Sequence, residues 1–453
     1  MKQVSAANFA TRCVEHPKFC SAALALVLLL AAFGQQLRAQ AAGTKSSVPS
    51  LGWRAIPNTK LSEICKEDPA LQATEGCAAI IADWNSGIAD TKRNRLLFWG
   101  GGHAGYAGNE VYALDLNQHA LVRLTSPSLP PVKCVASLAN PAGPNSRHTY
   151  DGLAYIEDAD QMFVFGGAAY RGNDSCQPSP DPEFVGYGGR MTDTWTLDLA
   201  NLQWMRRDPT KGKGRPATDY ANLGEGVVAD YDPVTKKVIV GDTAAWYSYD
   251  AKTNTYTQLN HRALFSYLMT GAIDPERRLF VLFGGGQARA FDLHHNSLLN
   301  WDEETKGCEP VQNTSYPGVA YDSAQKTIVA WVGGDTVYVF DPSSKVCTPV
   351  TFPGGPGKQQ GNGTLGRFRY FPALGIFALV NDWKQDAYVL RLALPASAGS
   401  RASPHRWRGT RKLRGARKKM NASAVACLHG LRLRGVTPVV AVQKNAAPLL
   451  EAD

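Results

Sequence analysis

Leu96-Leu97-Phe98-Trp99-Gly100-Gly101, followed by Val111-Tyr112-Ala113-Leu114-Asp115, is the stretch on which the fold turns. An apolar run ends in a glycine pair. A second run, carrying an aromatic residue, ends in Asp. The same order returns in Met162-Phe163-Val164-Phe165-Gly166-Gly167 with Thr194-Trp195-Thr196-Leu197-Asp198. It returns again in Phe280-Val281-Leu282-Phe283-Gly284-Gly285 with Ala288-Arg289-Ala290-Phe291-Asp292. A further copy is Ile328-Val329-Ala330-Trp331-Val332-Gly333-Gly334 with Val337-Tyr338-Val339-Phe340-Asp341. Two weaker copies start at Val238 and Ile376, with Gly241-Asp242 and Asn381-Asp382 in place of the glycine pair, and bring the count to six. A unit that repeats at such intervals marks a propeller.

Each copy also begins with an extended segment, from Gly87-Ile88-Ala89 in the first to Tyr370-Phe371-Pro372-Ala373 in the sixth. The first five add a fourth strand, such as Ala120-Leu121-Val122-Arg123-Leu124. The unit is therefore a four-stranded sheet, a to d. β-branched and aromatic runs suit sheets packed on both faces. Glycine after strand b permits positive φ and close backbone approach. Asp at the end of strand c can accept hydrogen bonds from the backbone that follows and so start the turn. The sixth copy stops after strand c, and Gly52-Trp53-Arg54-Ala55-Ile56-Pro57 reads like a missing strand d. The expected fold is an all-β, six-bladed β-propeller closed by an N-terminal strand, an arrangement that leaves only short, protected edges.

This pattern resembles the kelch-repeat β-propellers over residues 51–392. Within that family the chain looks most like secreted bacterial propellers, and more distantly like the galactose-oxidase propeller. A copper-radical oxidase of that kind needs a Tyr-His neighbour pair, and the chain has none. No Gly-x-Ser-x-Gly elbow and no His-Glu-x-x-His motif is present either.

Lys2, Arg12 and Lys18 precede the 13-residue apolar stretch Ser21 to Phe33, and Ala39-Gln40-Ala41 is a small-x-small cleavage site. Residues 1–41 read as a secretory signal peptide, or alternatively as an uncleaved anchor. The expected location is secreted or periplasmic, with no membrane span in the mature chain. Export permits disulfides. Topology pairs the six propeller cysteines as Cys65–Cys77, Cys134–Cys176 and Cys308–Cys347, leaving Cys427 over. No Cys-x-x-Cys spacing occurs, so no metal or cofactor is expected.

The net charge of +9 is terminal. Residues 393–453 carry 12 Lys/Arg against 2 Asp/Glu, and residues 1–41 carry 4 against 1. The propeller, residues 42–392, is left with 32 basic and 36 acidic residues, which argues against a nucleic-acid-binding face. The basic 393–453 segment shows neither the repeat nor an apolar period and reads as a disordered C-terminal tail.

Loop length carries the functional signal. Ser126 to Asn145, Ala168 to Thr192 and Pro209 to Gly224 are long, and all belong to the b–c and d–a loops, which share one face. Binding residues concentrate on loops carried by a rigid scaffold. The candidate mouth on that face comprises His103, Tyr106, Arg147, His148, Tyr170, Arg171 and Arg369. Arg binds carboxylates in bidentate fashion, and aromatic faces stack on apolar ring surfaces. No catalytic residue is assigned, although His103 or His148 with Glu110 could do acid–base work. The expected role is a binding scaffold for a carbohydrate or protein partner; the alternative is a sugar-active enzyme, an oxidase or an isomerase/epimerase, with its site at this mouth.

Overall fold

The computed structural model describes residues 50–393, apart from 66–67, 72, 177–183, 186–189, 208–225, 244 and 262–264. The signal segment 1–41, most of the tail 393–453 with Cys427, and the long d–a loop 209–224 lie outside the described residues.

Six antiparallel four-stranded sheets form the blades of a propeller. Strand a, the innermost, is Gly87–Asp90, Leu153–Ile156, Val228–Asp232, Thr270–Asp274, Gly318–Asp322 and Phe368–Phe371 in blades 1 to 6. Strand b follows a four-residue turn in every blade, as in Asp90↔Arg95 and Phe371↔Ile376. The constant turn puts equivalent residues of the six inner strands at equal depth along the axis. At the c–d turns the Asp ending strand c accepts backbone N–H groups. Asp115 Oδ1 takes those of Asn117 and Gln118 at 3.0 Å, and Asp292 Oδ1 takes those of His294 at 2.8 Å and His295 at 2.9 Å.

The last blade is completed from the other end of the chain. Gly52–Ala55 pairs with Tyr388–Arg391, in the register Trp53↔Leu390. Trp53 locks the closure by packing edge-on against Trp331 (6.2 Å) and Tyr388 (6.4 Å), and its indole N–H donates to Asp335 O at 3.1 Å. Aromatic contacts of this kind add about 0.5–1.5 kcal/mol beyond area burial. Strand-c aromatics such as Tyr112 and Trp195 are buried in the blades.

Closure turns residues 56–86 into a d–a loop, on the same face as the b–c loops. The disulfide Cys65–Cys77 lies inside it. Cys134–Cys176 joins the d–a loop of blade 1 to the b–c loop of blade 2, and Cys308–Cys347 ties blades 4 and 5. A further small sheet, formed by Arg147–His148, Ala168–Ala169, Arg190–Met191 and Phe184–Val185, is built from these loops.

The axis is closed on the loop face. The residues three places before equivalent strand-a positions are Trp84, Tyr150, Gly226, Leu268, Tyr316 and Leu365. Five of the six have left-handed backbone, at φ 46°, 47°, 68°, 50° and 52° for Trp84, Tyr150, Gly226, Tyr316 and Leu365. Bulky residues rarely adopt this region. Here it aims side chains from different blades at one another, and Tyr150, Tyr316 and Leu365 form a buried cluster with Trp84 and Leu268 packed against it. Backbone bonds link the rank, Tyr150 N–H to Trp84 O at 2.7 Å and Tyr316 N–H to Leu268 O at 2.8 Å. Beneath the plug lies Asp151, wholly buried. Its carboxylate accepts from Ser86 Oγ (3.0 Å), Gly271 N–H (3.2 Å) and Arg369 Nη2 (3.4 Å), drawing in blades 1, 4 and 6 from blade 2.

Candidate functional site

The loop face carries a polar cluster beside the plug, over blades 1 and 2. Gly102 is what allows it. A Cβ there would stand 2.1 Å from Arg147 Cα, so only glycine lets the b–c loop of blade 1 run against the Arg147–His148 strand. Gly102 N–H donates to Ser146 Oγ at 2.7 Å, and Gly101 N–H to Arg147 O at 3.2 Å. His103 and His148 are thereby held with ring centroids 5.2 Å apart, and the Trp84 ring also lies 5.2 Å from His148.

Arg171, from the b–c loop of blade 2, donates to His103 Nε2 from Nε (3.3 Å) and Nη2 (3.2 Å). The backbone repeats the link, since His103 O accepts from the N–H groups of Arg171 (2.8 Å) and Gly172 (3.0 Å). A guanidinium cannot accept, so His103 Nε2 carries a lone pair and the neutral ring keeps its proton on Nδ1.

Two carboxyls come from the 56–86 loop. Asp83 Oδ2 is 3.6 Å from His148 Nε2, and the Glu75 carboxyl hydrogen-bonds the Asp83 carboxyl. Burial pushes Asp83 up to about 6. Burial also raises Glu75, followed by the charge of Asp83. Two carboxyls in contact cannot both ionise cheaply, so the pair shares a proton in mildly acidic conditions. Gly105 makes room, because a Cβ there would meet Asp83 Oδ2 at 2.0 Å. The group can donate and accept hydrogen bonds at once, beside the half-buried Trp84.

The other expected mouth residues go elsewhere. Arg147 is wholly buried, and its donors are committed. Nη1 and Nη2 reach Asp193 Oδ1 (2.6 Å) and Oδ2 (3.2 Å), Nη1 also reaches Gly166 O (2.9 Å), and Nε reaches Asn145 O (3.1 Å). It fills the seam between the d–a loop of blade 1 (Ala136, Asn145) and the b–c end of blade 2 (Gly166, Asp193), beneath the site, and cannot meet a ligand. Tyr106 is buried as well, its hydroxyl donating to Glu110 Oε1 at 2.8 Å, with Tyr112 OH on the same oxygen at 3.0 Å. Burial and the Glu110 charge push both phenols up. Glu110 is thus part of a buried hydroxyl–carboxylate group and not the partner of His103 or His148. Tyr170 is buried against the core around Tyr106. Arg369 lies below the plug, in the central channel, its Nε donating to Gly87 O at 3.2 Å. Of the seven expected residues, His103, His148 and Arg171 come together. Glu75, Asp83 and Trp84 join them, and their signal is the closing strand, which makes 56–86 a loop of this face. Among the described residues no three His, Cys, Asp or Glu side chains are grouped to hold a metal ion.

No protein-family model matches the chain, and no curated protein matches it. Solved structures similar to it include a structural genomics protein of unknown function from Bacteroides thetaiotaomicron VPI-5482. The identity is 10%, with 75% of each chain covered and a TM-score of 0.46. TolB from Acinetobacter baumannii is similar at 13% identity, over 60% of this chain and 55% of that one, with a TM-score of 0.35.

Proposed function

We propose that the chain is an exported, kelch-type binding propeller that takes a carbohydrate on its loop face, at the cluster of Glu75, Asp83, Trp84, His103, His148 and Arg171. The observation that carries this reading is the convergence of four loop segments around the half-buried Trp84. Together they bring a donor, Arg171, acceptors in the Glu75 and Asp83 carboxyls, and two imidazoles that can do either. Sugars offer this mixed chemistry, hydroxyls around the ring and an apolar ring face for an aromatic side chain. Tyr267, an exposed aromatic on the d–a loop between blades 3 and 4, adds apolar surface to the same face. The three disulfides support an exported location, and no helix among the described residues is long and apolar enough to cross a membrane.

A glycan array probed with the mature chain tests the proposal. Arg171→Ala, at a half-exposed position, should lose the array signal and keep the melting temperature. An array with no signal above background, for wild type at both pH 5 and pH 7.5, would sink the reading.

One observation favours a sugar-active enzyme instead. The raised Asp83 beside Glu75 and His148 is the kind of proton-holding group that acid–base steps use. Turnover of a bound glycan, lost in Asp83→Asn with binding retained, would establish that alternative over the scaffold.

A further inference from the structure

The plug makes the central channel blind. Below it lies a cavity of about 710 Å³, lined by the inner strands and by the a–b turns on the face opposite the loop-face cluster. Pockets of this size hold small organic ligands. Its walls are built from the inner strands, so equal depth along the axis can be read from the register. Third from the end of strand a stand Ile88, Ala154, Asp230, Ala272, Ala320 and Arg369 in blades 1 to 6. Four of these are aliphatic. The two that are not carry opposite charges and lie on blades 3 and 6, across the axis from each other.

Neither charge is used up. Arg369 gives Nε to Gly87 O and Nη2 to Asp151, and its Nη1 makes no hydrogen bond among the described residues. Asp230 accepts one backbone N–H on each oxygen, from Tyr231 (2.9 Å) and Ile273 (2.8 Å), and each carboxylate oxygen can accept another. Asp230 is only partly buried, open to the channel. Lys92, at the rim, is already paired with Asp160 at 2.6 Å.

We propose that this blind channel binds a small zwitterion, with its anionic group on Arg369, its cationic group on Asp230 and an apolar body against the aliphatic wall. A lone anion is a poorer fit, because it would share the channel with the Asp230 carboxyl and bring nothing to pair with it. A lone cation leaves the free face of Arg369 desolvated. A molecule bringing one charge of each sign pairs both walls, and a low-dielectric cavity strengthens both contacts. The cavity exceeds one amino acid in volume and suits a short apolar peptide with free termini. The proposal does not depend on the loop-face reading.

Isothermal titration of the mature chain with the dipeptide Leu-Phe tests it, beside N-acetyl-Leu-Phe and Leu-Phe amide. The free dipeptide should bind saturably, and each capped form about tenfold or more weaker. Asp230→Asn should weaken the free dipeptide but leave the N-acetyl form unchanged, since that form has no ammonium to lose. Arg369→Gln should likewise leave the amide unchanged. If Arg369→Gln melts lower through its Asp151 contact, the Asp230→Asn arm still decides. Absence of saturable heat with the free dipeptide, equal binding of free and capped forms, or indifference to Asp230→Asn would each overturn the proposal.

Discussion

Arg147→Ala is the substitution that separates the seam from the site. The side chain is wholly buried and answers Asp193, which is also wholly buried. Removing the guanidinium leaves a buried carboxylate that, among the described residues, is held by neutral donors such as Trp195 Nε1 at 2.6 Å. Breaking one side of a buried ion pair costs about 3–5 kcal/mol. The unfolding entropy of ~2 cal/mol/K per residue, over about 340 residues, converts this to a melting loss of roughly 4–7 °C. Urea unfolding followed by tryptophan fluorescence gives the free energy directly, and scanning fluorimetry gives the shift. Arg147→Met with Asp193→Asn removes both charges and should recover part of the loss. A single mutant within about 0.5 kcal/mol of wild type would refute the reasoning. If it also lost ligand binding, Arg147 would return to the site.

Three more outcomes follow from the geometry. Asp83 is raised from 3.8 to about 6, so the native state holds its proton more tightly than the unfolded chain. Its contribution is full below pH 4 and is lost as pH rises through 6, by about 3 kcal/mol at most. Asp83→Asn should therefore gain stability relative to wild type as pH goes from 4 to 7, and a difference independent of pH would contradict this. Gly102→Ala places a methyl 2.1 Å from Arg147 Cα at φ +69°, and should cost more than about 2 kcal/mol and abolish any glycan signal. Removing Cys308–Cys347, which closes a separation of 39 residues, should cost about 4 kcal/mol by loop entropy, measured as the Cys→Ser pair against wild type.

Much of the architecture was legible because it rests on local rules repeated six times. Strand runs, glycines after strand b and Asp at the c–d turn are near-neighbour effects, and the four-stranded sheets follow from them. The closing strand was legible for a different reason: blade 6 ended one strand short, and Trp53 had the pattern of a strand d. The site was less legible because side-chain direction at the entry to strand a is decided by partners distant in sequence. Arg147 and His148 are adjacent in sequence, yet the first turns into the seam toward Asp193 and the second toward Asp83. Tyr106 and Tyr170 read as mouth aromatics but meet the core, because the disulfide loop 56–86 covers them.

The misplacement of Arg369 shows where sequence reading stops and what replaces it. Its position, just inside strand a, fitted a loop-face mouth as long as the axis was taken to be open there. Left-handed backbone at Trp84, Tyr150, Tyr316 and Leu365 closes that end, and nothing in those residue types announces it, since only Gly226 among the positive-φ members of the rank favours that conformation. The cost of holding bulky residues there, about 1 kcal/mol or more apiece, has to be offset by the packing of the plug and by Asp151 beneath it. Once the plug is in place, a residue four positions further along the chain belongs to the other side of the molecule. Arg369 then faces Asp230 across a blind channel, while His103, His148 and Asp83 gather on the loop face. The same inner strands thus serve two separated surfaces, and a substitution at Asp230 should leave glycan binding untouched just as Arg171→Ala should leave the channel untouched. Loss of both responses in either variant would mean that the plug transmits between them.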